Sequence, residues 1–215
     1  MVETESLFAM VAAGQIEELT SALDSSPDLA AATNAQGISL LLWAKYHRRQ
    51  ACAETIYTGI NDPSANEAVA MNDVAALSNW LRRDSTLLQQ FSSDGFTLLH
   101  YACFFAHPDC VSLLLEQGAE VNCCAQNSTK VYPLHSAAAA QAVPIASQLL
   151  AKGANVNVQQ AGGFTALMAA ALHNNDELIN LLCGYGADLN LRDDEGKSAY
   201  DHGLEKGFDI EKLAV

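Results

Sequence analysis

Positive charge is scarce in this chain. Its 215 residues hold 11 Lys and Arg against 25 Asp and Glu, a formal net charge of −14 at pH 7. Without a basic face there is nothing to displace counterions from a phosphate backbone, which excludes nucleic acid as a partner. The same shortage excludes docking on anionic lipid. Long apolar runs are missing as well: no stretch approaches the roughly 18 residues a membrane helix needs. The first residues, MVETESLFAMVAAG, carry glutamates where a secretory leader would carry Lys or Arg, so export by that route is not expected. The six cysteines include no CxxC spacing. They read as small buried hydrophobes of a reducing compartment, and the expected location is cytoplasmic. GxxxxGK[ST], HExxH and GxSxG are all absent. No catalytic residue, cofactor or enzyme activity is therefore expected.

What the chain does contain is repetition. GFTLLHYACFFAHPDCVSLLLEQGAEVN (95–122), VYPLHSAAAAQAVPIASQLLAKGANVN (131–157) and GFTALMAAALHNNDELINLLCGYGADLN (163–190) align directly. In the first half, a shift of 58 residues pairs Leu19 with Leu77, Gly37 with Gly95, Ala44 with Ala102 and Cys52 with Cys110. Seven units follow, starting near residues 5, 39, 63, 97, 132, 165 and 198, and the short step from 39 to 63 predicts that the second lacks its hairpin. Each unit reads as a short Ala-rich helix, a tight turn, and a second helix with Leu or Ile at helical spacing, such as Leu178, Ile179, Leu181 and Leu182. Gly118, Gly153 and Gly186 stop the second helices in the positive-φ cap that glycine tolerates best. One unit alone cannot bury its apolar face, so the units must stack.

Thr97-Leu98-Leu99-His100-Tyr101-Ala102, Tyr132-Pro133-Leu134-His135-Ser136-Ala137 and the Gly-Ala-x-Val/Leu-Asn endings resemble the ankyrin repeat. The resemblance is densest over 94–200. More narrowly, LRRDSTLLQQFSSDGFTLLHYACFFAHPDC and QQAGGFTALMAAALHNN look like small bacterial ankyrin proteins. It implies an all-α solenoid with short β-hairpin connections, forming a single domain over 1–215, and a non-enzymatic scaffold, adaptor or inhibitor that binds another protein. Units 5–34 and 198–215 are expected to act as caps, offering Glu17 and Glu18 at one end and Lys206, Asp209, Glu211 and Lys212 at the other. Leu98 and Ala166 stand in place of the helix-starting proline of the motif, and Met168 in place of its histidine.

One constellation competes with the scaffold reading. His100, Cys103, His107 and Cys110 include imidazole–thiolate pairs at i, i+3, a spacing that could serve a tetrahedral zinc site or a redox sensor. Packing accounts for the same residues: in ankyrin register His100 belongs to the inter-repeat turn, while Cys103 and Cys110 fall on inward positions. No metal is therefore expected. Cys123-Cys124 reads as an incidental pair on a loop, and Asp193-Asp194-Glu195-Gly196 as a hairpin turn.

Carrying the ankyrin register over residue by residue gives a concave partner-binding surface of Ile38, Tyr46, His47, Phe96, Phe104, Phe105, Val131, Phe164, Leu172 and His173. Two arrangements are open for the four phenylalanines. They form an exposed groove for an apolar or basic-amphipathic segment, or they fold back over neighbouring helix ends. The acidic surroundings would steer a positively charged partner toward such a groove. A monomer is expected, with self-association through the groove as the alternative.

Overall fold

The side chains that open each helix explain where the helices start. In the computed structural model, which describes residues 4–207, thirteen α-helices follow one another. They are α1 (Thr4–Ala13), α2 (Ile16–Ser25), α3 (Leu40–Tyr46), α4 (Gln50–Gly59), α5 (Ala65–Ala70) and α6 (Val74–Arg83). Then come α7 (Leu98–Phe104), α8 (Pro108–Glu116), α9 (Pro133–Ala139), α10 (Val143–Ala151), α11 (Ala166–Leu172), α12 (Asp176–Gly184) and α13 (Ala199–Glu205). Ser39, Ser64, Thr97, Thr165 and Ser198 each place a hydroxyl on the amide three residues on, which satisfies a donor the helix cannot. Among the described residues there is no strand. The expected hairpins close through single bridges at most, as in Thr33 with Ser39 and Arg192 with Ser198. No described helix is long and apolar enough to cross a membrane.

Two units divide the chain: Met1–Leu87 with Ser92–Asp94, and Leu88–Phe91 with Gly95–Val215. In the first, α1 to α6 form three helix pairs. Leu7 and Val11 of α1, Leu19 and Leu23 of α2, Leu40 and Leu41 of α3, and Ile56 of α4 make its core. Glu17 and Glu18 of α2 face solvent. The short step in the repeat pattern has its structural counterpart here: α4 ends at Gly59, α5 begins at Ala65, and no hairpin separates them.

In the second unit each pair buries its longer helix on one stripe. Cys110, Val111, Leu114 and Leu115 of α8 are buried, as are Ile145, Ala146, Leu149 and Leu150 of α10. On α12 the stripe is Leu178, Ile179 and Leu182, with Leu181 only half-buried. Successive repeats are tied by an amide ladder. Gln89 donates to the carbonyl of Gly118 at 3.3 Å, Asn122 to that of Gly153 at 3.0 Å and Asn157 to that of Gly186 at 3.1 Å. The hairpin tips are tied as well: Gly95 accepts from the Gln126 amide at 2.8 Å and Gly162 from that of Asp194 at 2.9 Å. Gly95 is required there, since its φ is +82° and a Cβ would meet the Gln126 oxygen at 2.6 Å. Of the polar cap expected at the C-terminal end, Lys206 is exposed. Asp209, Glu211 and Lys212 lie outside the described residues.

The turn between the two helices of a pair has its own signature. Gly14, Arg48, Asn72, Ala106, Gln141, Asn174 and Gly207 all have positive φ, in the register of the repeats. Most of these are not glycine, so the left-handed conformation is imposed by the helices on either side rather than chosen by the residue.

Candidate functional site

The proposed binding residues fall in both units. In the first, Ile38 is half-buried in the turn after Asn34, whose Oδ1 accepts from the amides of Gln36 and Ile38 at 3.0 Å. Tyr46 is half-buried and its hydroxyl donates to the Asp94 carboxylate. His47 caps α3 and is exposed, its ring 4.6 Å from that of Trp43.

In the second unit the aromatic residues do not share one fate. Phe96 is half-buried, its ring 5.7 Å from His100 and 5.9 Å from Tyr101. Phe105 is half-buried and lies parallel to the buried Tyr101 ring, 6.1 Å away. Phe164 is half-buried with its ring edge-on to His202 at 5.2 Å. Phe104 alone of the four is exposed, at 48%, edge-on to Phe105 at 5.2 Å. Val131 and Leu172 are half-buried, and His173 is exposed at the end of α11. Phe96 and Phe164 lie against neighbouring rings, and of the four phenylalanines it is Phe104, at the end of α7, that is exposed.

The histidines act between repeats. His100 Nδ1 accepts from the Thr97 amide at 3.3 Å, and its Nε2–H donates to the Val131 carbonyl 3.2 Å away. His135 repeats the arrangement, accepting from the Tyr132 amide at 3.2 Å and donating to the Phe164 carbonyl at 3.0 Å. Burial dominates both rings and pushes each pKa down to about 4, so both are neutral at pH 7. Met168 occupies the same position in the next repeat. Its sulfur takes the Thr165 amide at 3.4 Å and has no proton to pass on. The repeat after that uses a different link: His202 Nε2 meets Asp193 Oδ2 at 2.7 Å, with both side chains under a tenth exposed. Asp193 Oδ1 also accepts from the Glu195 and Lys197 amides at 3.0 and 2.9 Å, as a hairpin turn requires. This buried pair was not legible in sequence, where Asp193 reads as a turn former and nothing marks His202 as its partner.

The same hydrogen bonds bear on the metal alternative. Both nitrogens of His100 are engaged with Thr97 and Val131. Cys103 and Cys110 are fully buried, and burial drives the Cys103 thiol well above its usual range, away from the thiolate a metal needs. His107 sits at the start of α8. Among the described residues no three His, Cys, Asp or Glu side chains gather as a metal site.

Comparison with known proteins agrees with this geometry. A family model for ankyrin repeats in three copies matches residues 118–193, and one for the single ankyrin repeat matches 94–126. Residues 94–193 are ankyrin repeats. The chain is 44% identical over 80 residues to the mitochondrial disaggregase of Bos taurus, covering 36% of this chain and 12% of that protein. It is 38% identical over 108 residues to ankyrin repeat and SOCS box protein 11 of Mus musculus, covering 50% and 32%. It is 28% identical over 144 residues to the transient receptor potential cation channel subfamily A member 1 homolog of Caenorhabditis elegans, covering 67% and 12%. The chain therefore spans a third or less of the length of these relatives. Ankyrin repeats generally mediate protein–protein interaction and are generally non-enzymatic.

Proposed function

We propose that this protein is a binding scaffold, an adaptor or inhibitor that holds a partner protein on the ends of the first helices α7, α9 and α11 of its second unit. The observation that carries the reading is Phe104: a large aromatic side chain, 48% exposed, at the end of α7 within the ankyrin repeats. Aromatic anchors of this kind dominate the energetics of protein interfaces. Leu172 and His173 at the end of α11 occupy the equivalent position two repeats on. The test is affinity capture from the native cytosol with wild type and Phe104→Asp, after circular dichroism has established that the variant folds. A partner held by wild type and lost by the variant supports the reading, whereas equal capture by both overturns the site. With the reading goes the proposal that residues 1–215 form one monomeric domain. A single cooperative unfolding transition at the monomer mass would support it, and two separated transitions would divide the chain.

A further inference from the structure

Charge is unevenly placed in the second unit. The first helices α7, α9 and α11 read LLHYACF, PLHSAAA and ALMAAAL, without one Asp, Glu, Lys or Arg. The turns that follow them, 105–107, 140–142 and 173–175, also hold none. The acidic side chains of these repeats sit on the second helices, Asp109 and Glu116 on α8 and Asp176 and Glu177 on α12, and in the loops that follow them, at Glu120, Asp188, Asp193, Asp194 and Glu195. Between Gly95 and Leu191 the only lysines or arginines are Lys130 and Lys152, neither of them on a first helix. In a chain with a net charge of −14, three consecutive repeats thus present first-helix ends free of permanent charge.

That absence selects a partner. A lysine or arginine brought onto this row would lose hydration and find no carboxylate on the helices or turns that form it, the first in sequence being Asp109, Asp176 and Glu177 on the second helices, a cost that apolar contact does not return. An apolar side chain would lose nothing, and the exposed Gln141 and Asn174 amides beside it can meet hydroxyl, amide or backbone groups. Interface centres are depleted of charge and rich in aromatics for the same reason. The net charge of the whole molecule acts over longer range, on encounter rate more than on affinity.

We infer that this row docks an uncharged segment of a partner protein, apolar on one side and amide- or hydroxyl-bearing on the other, and that it discriminates against a basic one. The inference rests on the binding reading given above. Two synthetic helical peptides test it, one with Leu at i, i+3, i+4 and i+7 and Gln elsewhere, the other with Lys replacing the Gln. Each is titrated by fluorescence anisotropy against the full chain, Phe104→Ser and Leu172→Gln, with circular dichroism on every variant. The expected result is about tenfold preference for the Gln peptide at both ~50 mM and ~500 mM salt, where screening lengths differ severalfold. Each substitution should weaken it about tenfold, as loss of an interface anchor does. Tighter binding of the Lys peptide that collapses at high salt, yet still depends on Phe104, would overturn the uncharged partner and leave the docking face standing. Binding of neither peptide, or binding indifferent to both substitutions, would overturn the face itself and the reading beneath it.

Discussion

In the first unit α5 opens on Ser64, whose amide and hydroxyl meet the Glu67 carboxylate at 2.9 and 2.8 Å. In the second, α7 opens on Thr97, whose amide and hydroxyl meet the His100 ring at 3.3 and 2.8 Å. Both caps satisfy the same helix donors, but only the histidine has a second nitrogen to reach the following repeat. A carboxylate ends the chain of bonds; an imidazole passes it on. The amide ladder follows the same division, for Gln89, Asn122 and Asn157 carry it through the second unit, whereas Ala31 stands in the first where Gln89 stands in the second. The helix-pair geometry therefore survives loss of the motif residues, because it is held by apolar stripes such as Leu19, Ala22 and Leu23. The motif residues add the links from one repeat to the next.

The largest test of that contrast is acid. His100 and His135 have folded pKa values of about 4 against an unfolded 6.5, so the unfolded chain takes up protons first. Their contribution is complete above pH 6.5 and is lost as pH falls from 6.5 through 4. At pH 5 the two together should cost roughly 4 kcal/mol, since each tenfold difference in proton affinity is worth about 1.4 kcal/mol. Urea unfolding across that range, followed by hydrogen exchange, should show the second unit weakening ahead of the first. The double variant His100→Gln/His135→Gln should flatten the profile, and an unchanged pH slope would contradict the account.

A smaller effect separates two glycines related by the 58-residue shift. Gly95 has φ +82° and a Cβ would meet backbone at 2.6 Å, whereas at Gly37, φ +75°, it would meet the movable Ser93 side chain at 3.2 Å. Gly95→Ala should cost about 3 kcal/mol, from left-handed strain plus a clash backbone cannot relieve, and Gly37→Ala only about 1, from the strain. Equal losses in denaturant melts would mean the hairpin tip is not packed against its neighbour. Smaller again, Asn157→Ala removes a bond to Gly186 at 3.1 Å and one from the Asp188 amide at 2.8 Å. A cost of about 1 to 2 kcal/mol is expected for these exposed bonds. The smallest is a gain: Ala106, with φ +57°, should tolerate glycine with about 0.5 kcal/mol of added stability, read as a higher melting temperature.

Much of this was open to inspection in the chain itself. The spacing of Gly118, Gly153 and Gly186 marks the ends of α8, α10 and α12, and each has positive φ as a left-handed cap requires. Inward Cys103 and Cys110 follow from their register. The candidate face was harder to read. Phe96 and Phe104 look equivalent as exposed candidates in a one-dimensional pattern, yet one is half-buried among the His100 and Tyr101 rings while the other is 48% exposed beside Phe105. Tyr185 and Leu204, exposed at 47% and 48%, are not among the sequence candidates, since the ankyrin register marks neither position as part of the concave face.

The repeat register, the helix pairs, the glycine stops and the histidine turns are written in the order of the residues. They depend on period and on the local chemistry of a few side chains, which a linear string records in full. Folding in three dimensions settles which aromatic rings are covered, that His202 closes on Asp193, and that three first-helix ends line up without charge. Phe164 on His202 and the row itself join side chains from different repeats, while the rings on Phe96 and the His202–Asp193 pair are near in sequence, and their directions are set by how each hairpin packs on its helix.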